Sequence, residues 1–198
     1  MKGVVFNEFV QHIETKHGDE LIDAVLVAAK LPHGGAYTRV GTYPFEEMLR
    51  LVGAYAEASR RDVPDILEGF GEHCFASWVN YRPAFFAPGR QLFDILEQID
   101  SFHEYEVRKL YPDAELPSFV TETRDERVLV IGYHSSKNLT DLAIGVIKGA
   151  AAHLGQAIDI RAEEATGPSG HYTRLRIELT GTTDKKSEPA RCPVLHRT

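Results

Sequence analysis

Apolar residues in the first half of the chain recur at intervals of three and four. Phe6, Phe9, Val10 and Ile13 form one such stripe, and Leu21, Ile22, Val25, Leu26 and Ala29 form a second behind Asp19 as N-cap. The spacing predicts further helices over Pro44 to Ala58, Pro64 to Asn80 and Gly89 to Leu110. Loops rich in glycine, proline and aromatics separate them, among them Leu31-Pro32-His33-Gly34-Gly35 and Tyr81-Arg82-Pro83-Ala84-Phe85-Phe86-Ala87-Pro88. The period then shortens to two. Ser118 to Glu122 and Arg127 to Gly132 read as strands about a charged turn at Arg124-Asp125-Glu126. A helix from Thr140 to Leu154 follows, then strands at Ile158 to Glu164 and Tyr172 to Leu179. Between these last two, Gly167-Pro168-Ser169-Gly170 reads as a turn and not a nucleophile elbow. The pattern predicts an α+β chain: an N-terminal helical lobe and a C-terminal antiparallel sheet with helices, ending in a polar tail over 182–198.

Composition narrows the classes. With 198 residues, 43% of them hydrophobic, the chain can bury a core as one domain. A net charge of -7 with no basic cluster argues against nucleic acid and against an anionic membrane surface. No apolar run reaches the length of a membrane span, and the N-terminus turns polar at Asn7 and Glu8, too soon for a secretory signal. Cys74 and Cys192 lie far apart and form no C-x-x-C pair, so neither a disulfide framework nor a structural zinc is expected, and a cytoplasmic setting fits.

Two places carry candidate chemistry. On the helix predicted over 89–110, Leu92, Leu96, Ile99, His103, Val107 and Leu110 share a face, which turns His103 inward. The plain alternative is a core histidine bonded to a backbone carbonyl. Some thirty positions on, Tyr133-His134-Ser135-Ser136-Lys137 ends a strand, and if the strand persists Tyr133, Ser135 and Lys137 share a face. Two hydroxyls and an ammonium converging there would grip carboxylates, although such residues are also commonplace where a strand enters a turn. Together, an inward imidazole and a carboxylate claw are what a haem needs. His12, His17 and His73 read as surface or interhelical residues. His12 and His17 do not share a face well enough for a metal clamp.

Met1-Lys2-Gly3-Val4-Val5-Phe6-Asn7, the His103 helix, Pro117, and Tyr133-x-Ser135-x-Lys137 before a small-residue helix together resemble the haem nitric oxide/oxygen-binding (H-NOX) domain, related to the haem domain of soluble guanylate cyclase. The resemblance runs over residues 1–181 and implies a single haem domain, its helical part about 1–60 and its haem-holding part about 61–181. It implies haem b (iron protoporphyrin IX) with His103 as axial ligand, Pro117 in contact with the haem, and Tyr133, Ser135 and Lys137 on the propionates. The family motif has arginine where this chain has Lys137; a guanidinium forks onto a carboxylate with two hydrogen bonds, whereas an ammonium is a compact hydrated charge.

By the same resemblance Val5, Phe9, Cys74, Trp78, Leu142 and Val146 border the gas. Leu142, nine residues after Tyr133, stands where oxygen-binding members carry a hydroxyl-donating tyrosine. Bound oxygen gains from such a donor, while nitric oxide binds ferrous haem tightly without one. The expectation is a sensor for nitric oxide, with carbon monoxide as second ligand and no stable oxygen binding. Its message would pass to a separate histidine kinase or cyclic-di-GMP enzyme. The competing readings are a haem-dependent enzyme, which lacks a distal acid/base pair, and a haem-free interaction module in which His103 and Tyr133 are structural.

Overall fold

The computed structural model describes residues 1–182 apart from Arg82, Pro88 and Ser169; Cys192 and the tail from 183 onward lie outside the described residues. Four long helices open the chain: α1 (Gly3–His17), α2 (Asp19–Ala29), α3 (Phe45–Ser59) and α4 (Val63–Trp78). Asp19 is the first residue of α2 and not its cap; Gly18, at φ 81°, makes the turn between α1 and α2 in a conformation that favours glycine. The α1 stripe is buried as its spacing requires, with Phe6, Phe9 and Ile13 fully covered. They join Val25, Leu51, Tyr55, Ile66, Phe70 and Cys74 in one apolar cluster shared by all four helices.

The helix expected over 89–110 is broken. It consists of α5 (Leu92–Leu96), α6 (Ile99–Phe102), a π turn at His103–Val107 and α7 (Arg108–Leu110). The break shifts the register of the apolar stripe, so Leu110 is 68% exposed instead of inward. Beyond it lie β1 (Ser118–Arg124), β2 (Val128–His134), α8 (Thr140–His153), β3 (Gln156–Gly167) and β4 (Gly170–Thr182). The four strands form one antiparallel sheet in the order β1-β2-β4-β3. At the β1–β2 turn, Asp125 Oδ1 accepts from the N–H groups of Arg127 and Val128, both at 2.7 Å. The turn therefore centres one residue later than the sequence suggests.

Alternation along β2 puts Leu129, Ile131 and Tyr133 on one face, opposite Ile177, Leu175 and Thr173 of β4. That face packs on Ile147, Ala150 and Ala151 of α8 and on Leu92, Phe93, Ile95 and Leu96 of α5, forming a second apolar cluster. Val146 of α8 touches both clusters. α4 and α8 approach so closely that a Cβ on Gly145 would collide with the Glu68 carbonyl, and one on Gly71 with the Leu142 carbonyl.

The edge strand β1 is tied at both ends to the broken helix. Asp100 accepts the Phe119 N–H with both carboxylate oxygens, at 3.0 and 3.1 Å. At the far end the Arg124 guanidinium pairs with Asp94 at 2.6 Å and with Glu97.

Candidate functional site

His103 opens the π turn, a distortion that proteins often place at functional positions. Its ring is half-buried, and Nδ1 is sealed from solvent without a hydrogen-bond partner among the described residues. Burial lowers the His103 pKa from its ordinary value, over the opposing pull of the Asp100 carboxylate and the Pro117 carbonyl. Phe119, whose amide Asp100 holds, bridges the two halves of the site. Its ring centroid is 6.2 Å from that of His103 and 5.3 Å from that of Tyr133.

Tyr133 and Ser135 meet at the end of β2, whereas Lys137 joins them through its backbone N–H while its ammonium turns to Glu115. β2 ends at His134, and the chain then turns: the Lys137 N–H donates to Ser135 Oγ at 3.2 Å, and Asn138 follows at φ 45°. Tyr133 is 4% exposed on the core face of the sheet. Burial raises its phenol pKa, while the Ser135 side chain and the Leu139 backbone at its hydroxyl pull the other way. The Lys137 side chain is 15% exposed, and its ammonium is paired with the carboxylate of Glu115. Glu115 and Asp113 lie on the segment joining α7 to β1. Asp113 is bound by Lys2 Nζ at 2.6 Å and by Thr42 Oγ1 at 3.1 Å, so this segment is fastened both to the N-terminus and to the turn after β2.

The residues expected around the gas divide between two settings. Phe9 and Cys74 are fully buried in the first apolar cluster, while Val5, Leu142 and Val146 are half-buried against it and Trp78 is 38% exposed at the end of α4. Pro117 is half-buried just ahead of β1. Of these half-buried aliphatic side chains, Val146 borders both apolar clusters. A haem suits this set of residues: an imidazole with an unpartnered sealed nitrogen on one side, hydroxyls and an ammonium for carboxylates at the rim, and apolar surface between.

Sequence reasoning missed the supporting residues. Asp100, Glu115 and Phe119 carry no motif, and only the folded path of 100–119 shows what each holds. His12 takes the interhelical of the two expected settings, between α1 and α4. His12 is 5% exposed and packs edge-on against His73, with ring centroids 5.1 Å apart, while His17 Nε2 is 2.7 Å from the Tyr55 hydroxyl. No group of three or more His, Cys, Asp or Glu among the described residues is arranged to hold a metal ion, and none of the described helices is long and apolar enough to cross a membrane.

The family model described as haem-NO-binding matches residues 2–162. Among solved structures, the Fe(II) unliganded H-NOX protein from K. algicida is 30% identical, with a TM-score of 0.81 over 95% of this chain and 100% of that one. A point mutant of that protein in the same state is 32% identical, with a TM-score of 0.81 over 90% and 96% of the two chains. A variant H-NOX protein from S. oneidensis, in the Fe(II) state and 22% identical, shares the fold with a TM-score of 0.81 over 93% of this chain and 98% of that one. No curated protein sequence matches. The chain belongs to the haem-NO-binding family, the H-NOX domains, which are haem-based gas sensors.

Proposed function

We propose that residues 1–181 form a single sensor unit that binds nitric oxide, with carbon monoxide as second ligand and without stable oxygen binding, at the ferrous iron of haem b. The observation that carries this reading is His103, an inward imidazole at a π turn whose sealed Nδ1 has no partner among the described residues. Haem, when bound, supplies the iron to which a diatomic gas attaches. The chain would supply the rest: His103 would bind the iron, Pro117 would pack against the haem, and Tyr133, Ser135 and Lys137 would hold its carboxylates. Val5, Phe9, Cys74, Trp78, Leu142 and Val146 form an apolar wall on the gas side. No hydroxyl donor stands at Leu142, which favours nitric oxide over oxygen.

Signalling follows from what His103 is attached to. A movement of His103 would carry the π turn and α6 with it. Asp100 passes that movement to β1 through the Phe119 amide, and Pro117 moves with the same segment. The element with two arrangements is the broken helix, and each arrangement presents a different surface. The receiver is a separate histidine kinase or cyclic-di-GMP enzyme.

Absorption spectra of protein produced with haem supplied test the reading. Expected are a Soret band, shifts of the ferrous form with nitric oxide and with carbon monoxide, and no persistent change in air. Leu142→Tyr should introduce oxygen affinity. A chain that takes up no haem would be an interaction module, and a wild-type ferrous form that holds oxygen in air would reverse the assignment of the gas.

A further inference from the structure

The chain between α4 and α5 carries two adjacent aromatics to which the sensor reading gives no task. Phe86 is 8% exposed. Its ring stands edge-on to Phe75 of α4, with centroids 5.0 Å apart, and its carbonyl lies 3.1 Å from His153 Nε2 of α8. The Phe85 ring is turned 88° from that of Phe86 and lies against Phe102 of α6, with centroids 4.6 Å apart. Phe102 directly precedes His103. One short stretch of chain is thus seated on α4 and α8 by one residue and on the His103 helix by its neighbour.

Arg90 fastens this stretch to the bend of the broken helix. Its Nη1 donates to the Phe85 carbonyl at 3.1 Å, its Nη2 donates to Gln98 Oε1 at 3.0 Å, and its guanidinium carbon lies 5.3 Å from the centre of the Phe85 ring. Gln98 stands between α5 and α6, and its carbonyl accepts the Phe102 N–H at 2.9 Å. Both of these acceptors are neutral oxygens, so geometry and not charge pairing decides the contact. A planar fork holds two acceptors in a fixed relation while resting on a ring; an ammonium does not.

α6 needs such support. With four residues it is too short to hold its own direction through internal hydrogen bonds, and the π turn that follows widens the chain at His103 itself. Asp100 ties α6 to β1. Arg90 and Phe85 tie it, through Gln98 and Phe102, to the stretch that Phe86 anchors on α4 and α8.

The geometry points to Arg90 as a positioning residue for His103: its clasp on Gln98 and Phe85 holds the Phe85 ring against Phe102 and so sets the tilt of the imidazole. The inference rests on the sensor reading, in which His103 binds the iron, and deepens it. α4 and α8 carry Cys74, Trp78, Leu142 and Val146, the gas-side wall of that reading. The tilt of His103 is thereby set with reference to that wall.

The test uses the full chain, haem-loaded and ferrous, and reads the iron–histidine stretching band by resonance Raman. A second readout, on the haem-free chain, is hydrogen exchange of the amides at 99–107. Arg90→Met keeps the reach of the side chain and removes the fork. The band is expected to shift and broaden, as a loosened ring samples several tilts, and the amides to exchange several-fold faster. Arg90→Lys grips one oxygen instead of two and is expected to fall between wild type and Arg90→Met. Should Arg90→Met not fold, Gln98→Met removes the acceptor at the bend and leaves Arg90 on Phe85, with the same change expected. A band unchanged in position and width in the variant that folds overturns the inference, even with faster exchange, while the Soret band of the wild type still upholds the sensor reading. A wild type without a Soret band overturns that reading and this inference with it.

Discussion

The ammonium of Lys137 is shared with Glu115, a carboxylate whose side chain is 74% exposed. A bond of that kind is weakened by water and salt. Three N–H donors leave Lys137 two for a haem carboxylate. Lys137→Ala is expected to lose haem several-fold faster than wild type in transfer to apomyoglobin, and Lys137→Arg, with its planar fork, more slowly. Equal rates in all three proteins would take Lys137 out of the site. His12 makes a prediction about acid. Its pKa falls from 6.5 to about 3 on folding, so the unfolded chain takes up a proton that the folded chain refuses. Stability from this group is complete above pH 6.5 and is lost as the pH falls towards 3, by up to about 1.4 kcal/mol per pH unit. In His12→Leu this part of the acid slope disappears, and urea unfolding of both proteins at pH 7 and pH 4.5 measures it; parallel slopes would contradict it. At this scale Tyr133 is legible from alternation within one strand, and His103 from a local apolar spacing even though the helix that carries it is broken. His12 with His73, and Glu115 with Lys137, are not, because each pair depends on which faces of distant elements meet.

At the scale of elements, hydrophobic period gives the four opening helices to within a few residues, because each has one face against a core, and the strands too, although β1 covers only Phe119. It fails over 89–110, where the apolar stripe continues through a chain that is bent at Glu97–Gln98 and widened at the π turn. Tertiary contacts from β1 hold that shape, and periodicity carries no record of them. The crossing of α4 and α8 likewise depends on residues with no side chain. A methyl group on Gly145 would meet main-chain atoms of Glu68, which cannot swing aside. Gly145→Ala is therefore expected to destabilise the fold by about 1–3 kcal/mol, the usual cost of overpacking, seen as a lower urea midpoint with an unchanged slope. Wild-type stability in that variant would mean that the helices can part freely.

For the whole molecule, the two apolar clusters meet at Val146 of α8, with half-buried Val5 and Leu142 packed on the first and Phe119 on the second. A group bound where they meet stabilises the native chain by mass action, about 4 kcal/mol at a thousandfold excess over Kd. Haem-loaded protein is expected to melt at a higher temperature than haem-free protein and in one transition, with both clusters protected together in hydrogen exchange. Equal melting temperatures would place the haem elsewhere. The α+β class and the division into helices and sheet are legible from the sequence; the meeting of the two clusters is not, because it is a property of how two cores face each other.

The attachment of β1 to the broken helix limits how this molecule can move. A strand fixed to the helix at Asp94 and Glu97 on one side of the bend, and at Asp100 on the other, works as a splint across a joint. These contacts let the joint turn and oppose separation of its two halves. In the proposed sensor, a tug on His103 would be turned from a pull along the helix into a rotation about β1, and the sheet would follow it.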